Sequence, residues 1–237
     1  MLLSRRGVLA GAGVQALAAS VLAAPARAAE TPWLTPADID LTVLLPPPPE
    51  KGGAADRRDL EAVLAAQAAA SPERIARAAA DAAERIYVMF TSVLGPRFAP
   101  EALPKADPLF RRAEESEDAV VDPAKPFFGR VRPWLADARV KALVPSSKSG
   151  SWPSGHTTRV TMLAAVLTAI VPEKRAAIWE RSFDYAESRV IGGMHYPSDL
   201  AAGRSAGTAM AAVLFAKPEF RADFPAAKAE LRQVLAL

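Results

Sequence analysis

Apolar residues recur at helical spacing along most of the chain. In the clearest repeat they follow one another at intervals of three or four: Ile75, Ala79, Ala82, Ile86, Phe90 and Val93. Ser71-Pro72 before the repeat is typical of a helix start, and Gly95-Pro96 after it is typical of a helix end. The pattern predicts one helix over residues 71–94.

Apolar runs of the same kind, several of them opened by proline or serine, follow along the chain. They predict helices over residues 56–70, 107–121, 154–171, 172–191, 197–215, 218–224 and 225–235. The alternating apolar and polar positions that indicate strands are almost absent. We therefore expect an all-α fold, a single-domain helical bundle whose functional groups lie at helix N-termini and in interhelical loops.

Residues 30–55 do not follow the helical pattern and are interpreted as an entry segment. Pro46 to Pro49 are four consecutive prolines, which have no backbone N–H and favour a stiff, extended chain. Such a stretch fits neither a helix nor a central strand. We expect it to lie as a strap over the surface.

The first 28 residues have a composition of their own. They contain Arg5, Arg6 and Arg27 but no acidic residue, and they end in Ala26-Arg27-Ala28 after an apolar stretch. A charged start, an apolar middle and an A-x-A end predict an export signal that is cleaved off. The paired arginines after Ser4 resemble a twin-arginine signal, and a general secretory signal is the alternative. The domain would then span residues 29–237 in the periplasm or outside the cell.

Charge and composition narrow the classes of function. The chain has 29 basic and 26 acidic residues, and removal of the signal's three arginines leaves 26 of each. A formally neutral mature chain gives no indication of a nucleic-acid partner. The longest uncharged apolar run after residue 29, Val160–Pro172, has 13 residues and is too short to span a bilayer. The absence of Cys excludes disulfides, thiolate catalysis and cysteine-ligated metals.

The two histidines are the main candidates for acid–base or nucleophilic chemistry near neutral pH. His156 follows Ser154 and Gly155 at the predicted start of an apolar helix, where unpaired N–H groups suit an anion. It has no carboxylate partner at helical spacing. His195 lies in the turn before another helix, and Asp199 follows one turn later, where its carboxylate can hold one ring nitrogen. The other nitrogen would then be free to act as a nucleophile or base.

Cationic residues surround these histidines in the sequence. Lys125, Arg130 and Arg132 lie in a stretch bounded by Pro126, Gly129 and Pro133, which we interpret as a loop, and Arg189 precedes His195 by six residues. Guanidinium groups, an ammonium group and helix N-terminal amides together form a receptor for a tetrahedral oxyanion. Arg130 is ambiguous, because it could also brace the loop.

The spacing of these residues resembles a known signature. Lys125-x6-Arg132-Pro133, then Pro153-Ser154-Gly155-His156, then Ser188-Arg189-x5-His195-x3-Asp199 match the three motifs of a superfamily. That superfamily contains the acid phosphatases, the vanadium haloperoxidases and the type 2 phosphatidic acid phosphatases. The motifs cover about a third of the chain. The export signal and the Leu44–Pro49 segment resemble the secreted branch, the class A bacterial acid phosphatases.

Two features depart from that branch. Trp152 stands where the branch usually has Tyr, and the sequence from His195 to Asp199, His-Tyr-Pro-Ser-Asp, resembles the membrane lipid phosphatases. A lipid or isoprenoid pyrophosphate phosphatase and a vanadium haloperoxidase are therefore alternatives within the fold. A catalytically inactive phosphoester-binding protein is the alternative from another class.

The resemblance implies a metal-free hydrolysis of phosphate esters in two steps, with no cofactor. His195 would attack phosphorus and become a phosphohistidine, Asp199 would orient it, and His156 would protonate the leaving oxygen. The phosphate would be held by the remaining motif residues: Lys125, Arg132, Ser154, Gly155 and Arg189. The expected partners are small-molecule phosphate esters, and association into a homo-oligomer stays open.

One polar cluster outside the motifs could suggest a metal site. Residues 114–118 read Glu-Glu-Ser-Glu-Asp. Consecutive helical residues point in different directions, so they do not converge on one ion. We interpret the cluster as a solvated helix face.

Overall fold

The computed structural model describes residues 30–237, which form ten α-helices and two 3₁₀ turns and contain no strand. The all-α prediction is confirmed for this part of the chain, whereas the predicted export signal over residues 1–28 lies outside it. The helices are α1 Leu41–Leu44, α2 Ala54–Ala69, α3 Pro72–Ala80, α4 Ile86–Leu94, α5 Ala106–Phe128, α6 Pro133–Ala136, α7 Gly155–Ile170, α8 Arg175–Ile191, α9 Pro197–Ala216 and α10 Pro218–Leu235.

Helix α7 is the central helix and packs most extensively against α9 and α8. Two glycines of α9 allow the close approach. A Cβ atom on Gly207 would lie 2.4 Å from the carbonyl oxygen of Thr158, and one on Gly203 would lie 2.7 Å from that of Ser154. Larger residues would separate the helices. The packing brings the start of α9, with its preceding turn, beside the start of α7.

The predicted helix over residues 71–94 is interrupted, and the expectation of one helix was wrong. Helix α3 ends at Ala80 and α4 begins at Ile86. Three consecutive carbonyl oxygens in the turn between them accept hydrogen bonds from distant side chains. Ala82 faces Nε2 of His156, Ala83 accepts from the hydroxyl of Tyr185, and Glu84 accepts from Arg159. These tertiary hydrogen bonds replace the intrahelical ones, which explains a break without a local glycine or proline.

Helices α5 and α10 continue beyond the points at which their prolines were expected to end them. Helix α5 includes Pro123 and Pro126 and reaches Phe128, and α10 includes Pro225, where two separate helices were predicted. All three prolines lie on exposed faces, where water can hydrate the carbonyl groups that lose an N–H partner. The opposite faces pack into the core.

The segment over residues 30–55 is more than an entry to the domain. Trp33, Leu34, Leu41 and Leu45 are buried in the main core, so the segment belongs to the fold. The prolines from Pro46 to Pro49 remain exposed or half-buried at the surface, as predicted for a strap. Among the described helices, none combines the length and apolarity needed to cross a membrane.

Candidate active site

The start of α7, the end of α8 and the turn before α9 meet the end of α5 around one cavity of about 810 Å³. Six of the eight residues predicted from the sequence line it: Lys125, Arg132, Gly155, His156, Arg189 and His195. The other two, Ser154 and Asp199, are fully buried and are not among the lining residues. The signature thus corresponds to one place in the fold.

His195 is held in one tautomer by its two neighbours. Its Nε2 atom lies 3.0 Å from Nη1 of Arg132, and its Nδ1 atom lies 2.9 Å from the carbonyl oxygen of Ser151. Because a guanidinium group can only donate, Nε2 must accept, and the ring proton therefore resides on Nδ1. Burial, followed by the positive charges of Arg132 and Arg189, lowers the pKa of His195 well below its usual value. His195 is a neutral imidazole with a lone pair on Nε2.

Asp199 supports His195 less directly than expected. Its Oδ2 atom lies 3.4 Å from Nδ1 of His195, farther away than the carbonyl oxygen of Ser151. The same Oδ2 accepts the backbone N–H of Tyr196 at 2.8 Å, which fixes the first turn of α9. Burial raises the pKa of Asp199 to about 7, although the charge of Arg130 opposes this. Asp199 thus organises the turn that carries His195.

The structure resolves the ambiguous role of Arg130. Its guanidinium donates to Asp199 at 2.6 Å and to Asp59 at 2.8 Å, and it lies 4.0 Å from the centre of the Tyr196 ring. Its donors are therefore engaged by carboxylates behind the cavity. Arg130 braces Asp199, and it is not a free oxyanion ligand in this arrangement.

Arg189 has no such partners. The guanidinium is buried, and its Nε and Nη1 atoms form no hydrogen bond to any residue in the described range 30–237. Burial lowers the pKa of Arg189, although Tyr185, Glu84 and Asp81 oppose the shift. An unpaired buried charge is unfavourable for folding. Its presence at the cavity wall indicates a site that an anion completes.

The other two cations have partial partners. Arg132 donates to the carbonyl oxygen of Ser149 at 2.8 Å and contacts His195, and burial, with the nearby charge of Arg189, lowers its pKa to about 10. Lys125 lies in the last turn of α5, not in the predicted loop, and its Nζ atom lies 2.7 Å from Asp122. Because Asp122 is largely exposed, its ion pair with Lys125 is weak. The ammonium group of Lys125 still lines the cavity.

Ser154 and Gly155 form the N-terminus of α7. The Oγ atom of Ser154 accepts the N–H of Thr157 at 3.3 Å, so Ser154 is the N-cap residue. The first N–H groups of a helix have no intrahelical acceptor, which leaves those of Gly155 and His156 for an anion. A Cβ atom at position 155 would lie 3.1 Å from Oε1 of Glu117 and 3.5 Å from Nζ of Lys125. Glycine therefore permits the close packing around this end of α7.

His156 has a carboxylate partner that helical spacing did not reveal. Its Nδ1 atom is in direct contact with Oε1 of Glu84, and its Nε2 atom lies 3.1 Å from the carbonyl oxygen of Ala82. Both groups come from the turn between α3 and α4. Burial, followed by the charge of Arg189, lowers the pKa of His156 to about 4, while the hydrogen bond that His156 donates to Glu84 opposes the shift. The absence of a carboxylate at helical spacing holds, and the partner comes instead from a turn 72 positions earlier in the chain.

The cluster at residues 114–118 is not a solvated helix face. Glu114, Ser116 and Glu117 are buried. Glu114 accepts the N–H of Ile86 at 2.8 Å and so holds the start of α4, while Glu117 lies 2.7 Å from Nη2 of Arg159. Burial raises the pKa of Glu117 to about 8. Glu114 and Glu117 therefore form buried contacts beside the cavity, while Asp118 is exposed.

Ser188, the other motif residue, anchors α8 at the cavity. Its hydroxyl donates to Asp81 at 2.7 Å and accepts from Arg74 at 2.9 Å. Asp81 ends α3 and also binds Arg181 of α8. The sequence offered no signal for Asp81 beyond an acidic residue in an apolar run. The contact fixes the end of α8, from which Arg189 projects.

These residues bring an unprotonated imidazole nitrogen, a second histidine and a group of cations together in one cavity. The neutral Nε2 of His195 lies beside the guanidinium groups that would bind a tetrahedral anion. Within residues 30–237, no three His, Asp or Glu side chains converge as metal ligands. Lys and Arg supply the positive charge here. The chemistry that fits this arrangement is transfer of a phosphoryl group.

Comparison with known proteins agrees with the geometry. Residues 116–223 match the model of the PAP2 superfamily. A non-specific acid phosphatase of Salmonella typhi is 32% identical over 195 residues, covering 79% of this chain and 78% of that protein. A non-specific acid phosphatase of Providencia stuartii is 35% identical over 125 residues, covering 51% of this chain and 50% of the relative. An acid phosphatase of Zymomonas mobilis is 33% identical over 135 residues, covering 55% of this chain and 51% of that protein. The chain belongs to the PAP2 superfamily and, within it, to the family of non-specific acid phosphatases, which are phosphoric monoester hydrolases.

Proposed function

We propose that this phosphoric monoester hydrolase acts through a phosphohistidine and without a metal ion. The observation that carries the proposal is the pairing of two groups in one cavity. His195 presents an unprotonated Nε2, and Arg189 presents a buried guanidinium whose Nε and Nη1 atoms have no hydrogen-bond partner in the described part of the chain. A nucleophile beside an unfilled anion receptor is what transfer to an enzyme side chain requires.

The first step forms the covalent intermediate. Lys125, Arg132, Arg189 and the N–H of Gly155 hold the phosphate oxygens, and Ser154 keeps that N–H in place through the helix cap. The bond between Nε2 of His195 and phosphorus forms as the bond to the leaving oxygen breaks. His156 donates a proton to that oxygen. The Nδ1 proton of His195 stays on the ring and is stabilised by Ser151 and Asp199.

The second step releases phosphate and restores the enzyme. His156, now neutral, accepts a proton from water as the water oxygen attacks phosphorus. The bond between phosphorus and Nε2 of His195 breaks, and the lone pair returns to the ring. The products are an alcohol and inorganic phosphate. Because the cavity, at about 810 Å³, is larger than a phosphate group, it leaves room for the organic part of small phosphate esters.

Turnover of p-nitrophenyl phosphate tests this function. Because Lys and Arg supply the charge at the site, we expect hydrolysis to continue in excess EDTA. Vanadate, which resembles the five-coordinate phosphorus of the transition state, should inhibit at micromolar to millimolar concentration. Activity that is lost in EDTA and returns with a divalent ion would contradict the metal-free proposal. Bromide oxidation by the vanadate-loaded protein without phosphatase turnover would indicate a haloperoxidase.

The pH dependence of kcat/KM should differ from that of kcat. In the free enzyme, burial lowers the pKa of His156 to about 4, so the protonated fraction falls as pH rises above that value. The kcat/KM for glycerol phosphate should therefore fall above about pH 4. A bound phosphate dianion offsets the charge of Arg189, so the decline of kcat should occur at higher pH. Parallel profiles of the two constants would contradict a proton donor at His156.

We also propose export, on the basis of Arg5, Arg6 and the Ala26-Arg27-Ala28 end. If the twin-arginine route is used, changing Arg5→Lys together with Arg6→Lys should leave the precursor in the cytoplasm. Cell fractionation with an antibody to the mature domain measures this. Export of the double variant at the original rate would point to the general secretory route instead.

A further inference from the structure

The two histidines of the cavity are held in opposite ways. At His195, a donor faces one ring nitrogen and an acceptor faces the other, which favours the neutral ring. At His156, acceptors face both nitrogens: the carboxylate of Glu84 at Nδ1 and the carbonyl oxygen of Ala82 at Nε2, 3.1 Å away. Two acceptors are satisfied together only by a ring that carries two protons. The hydrogen-bonding partners of His156 thus favour the imidazolium form.

Charged groups from three helices surround the pair formed by His156 and Glu84. Arg189 of α8 faces the ring, and its charge disfavours a second proton. Arg159 of α7 lies 3.5 Å from Oε2 of Glu84, and Lys125 of α5 also acts on this carboxylate. Burial alone would raise the pKa of Glu84, but His156 and these cations outweigh it and lower the pKa to about 2. Glu84 is therefore ionised at any pH at which the protein works.

The remaining neighbours do not replace Glu84. Glu117 and Asp118 of α5 bind Arg159 and form no hydrogen bond or ion pair with the ring of His156. Tyr185 of α8 stacks on that ring with centres 6.0 Å apart, but its hydroxyl donates to the carbonyl oxygen of Ala83. His195 is neutral. Glu84 is thus the carboxylate in contact with His156, and it opposes the cations on the cavity side.

We propose that Glu84 is a positioning residue for the reaction, which fixes the ring of His156 in the cavity and favours its protonated form against burial and the charge of Arg189. The proposal rests on the proposed role of His156 as proton donor. The proton passes from His156 to the leaving oxygen as the bond between phosphorus and that oxygen breaks. The ring takes a proton back from the attacking water as the bond between phosphorus and Nε2 of His195 breaks. Glu84 stays ionised throughout.

The turn between α3 and α4 is built to place this carboxylate. Its carbonyl oxygens are held by His156, Tyr185 and Arg159, and its first residue, Asp81, is held by Ser188 and Arg181. Glu84 is about one-third exposed while the ring that it contacts is about one-eighth exposed. The carboxylate therefore lines the cavity and lies directly against the ring, and a change at position 84 acts on His156 first.

The test separates the charge of Glu84 from its shape. Glu84→Gln keeps an acceptor for Nδ1 but removes the charge, so the pKa of His156 should fall by about one to three pH units. At pH 6, kcat/KM for glycerol phosphate should then fall about 10- to 10³-fold, because the protonated fraction falls by that factor. For p-nitrophenyl phosphate, whose leaving group needs little protonation, we expect a loss of less than about threefold.

Asp118→Asn is the matched control. It removes the same charge from the surroundings of Arg159 without touching His156. We expect the ratio of the two substrates' kcat/KM values to stay within about twofold of the unchanged enzyme. If Glu84→Gln and Asp118→Asn alter that ratio equally, the effect comes from the network as a whole, and the proposal is wrong.

A second measurement does not depend on catalysis. The chain has only two histidines, so labelling with ¹⁵N-histidine gives two sets of imidazole NMR signals. The His156→Ala and His195→Ala variants assign each set to its residue. With sulfate, a non-titrating oxyanion, filling the site, the titration of His156 should move to lower pH in Glu84→Gln. An unchanged titration of His156 in folded Glu84→Gln protein, whatever its activity, would overturn the proposal. If the titration moves but His156→Ala shows no dependence on the leaving group, the proposed function has failed and the inference on Glu84's charge has not.

Discussion

Replacing His195 by alanine should lower kcat by on the order of 10⁴- to 10⁶-fold, as loss of a covalent nucleophile does in other hydrolases. The structure explains why no neighbour can take over. Lys125, Arg132 and Arg189 are cations and do not attack phosphorus, and the Nδ1 atom of His156 is in contact with Glu84. The remaining catalysis would come from charge stabilisation by the oxyanion receptor alone.

Two companion variants control for loss of structure. Asp199→Asn should fold and act slowly, because the carbonyl oxygen of Ser151 still accepts the Nδ1 proton of His195 at 2.9 Å. His195→Ala should still bind vanadate or inorganic phosphate, because Arg189 and the N-terminus of α7 are unchanged. Acid-labile phosphate trapped on the His195→Ala protein would show that another residue is the nucleophile.

Replacing His156 by alanine should have an effect that depends on the substrate. With glycerol phosphate, the first step should slow on the order of 10² to 10⁴-fold, because an alkoxide is strongly basic and needs a proton as it leaves. Nitrophenolate is a much weaker base, so the first step with p-nitrophenyl phosphate should slow far less. Dephosphorylation should slow for both substrates, since His156 also activates the water.

Pre-steady-state kinetics detect this difference. With p-nitrophenyl phosphate, the His156→Ala enzyme should release a burst of nitrophenol and then turn over slowly, as the phosphoenzyme accumulates. Single-turnover release of glycerol should show the slow first step directly. Equal losses on the two substrates would remove His156 from the role of proton donor and leave it as a phosphate ligand.

The sequence predicted the parts of this site that helix geometry controls. The starts of α7 and α9 were indicated by proline, serine and glycine ahead of apolar runs, and the structure begins these helices at Gly155 and Pro197. The residues of the motifs then converge because α7 and α9 pack closely through Gly203 and Gly207. Local signals and their spacing were sufficient for these elements.

The contacts formed across the fold could not be predicted in this way. Glu84 lies 72 positions before His156, in a turn that the apolar repeat concealed. The turn exists because Ala82, Ala83 and Glu84 direct their carbonyl groups to partners on α7 and α8, and no local residue specifies those bonds. Tertiary hydrogen bonds outweighed the local helical preference.

Buried charge was the other feature that sequence reasoning missed. Glu117 was interpreted as part of a solvated helix face because consecutive helical residues point in different directions. Its partner, Arg159, lies 42 positions away on α7, in the middle of an apolar helix. A single arginine within an otherwise apolar helix was the one sequence signal that indicated a buried acidic partner. Similarly, the role of Arg130 became clear only when Asp59 and Asp199 were found around it.

The most direct test of the account is the identity of the residue that carries the phosphoryl group. The His156→Ala enzyme, mixed with p-nitrophenyl phosphate and quenched with base, should hold about one phosphate per chain, because its second step is slow. Peptide mapping at alkaline pH should place that phosphate on Nε2 of His195, in the turn before α9. Phosphate on any other residue, or a burst of nitrophenol without phosphate on the protein, would contradict the account.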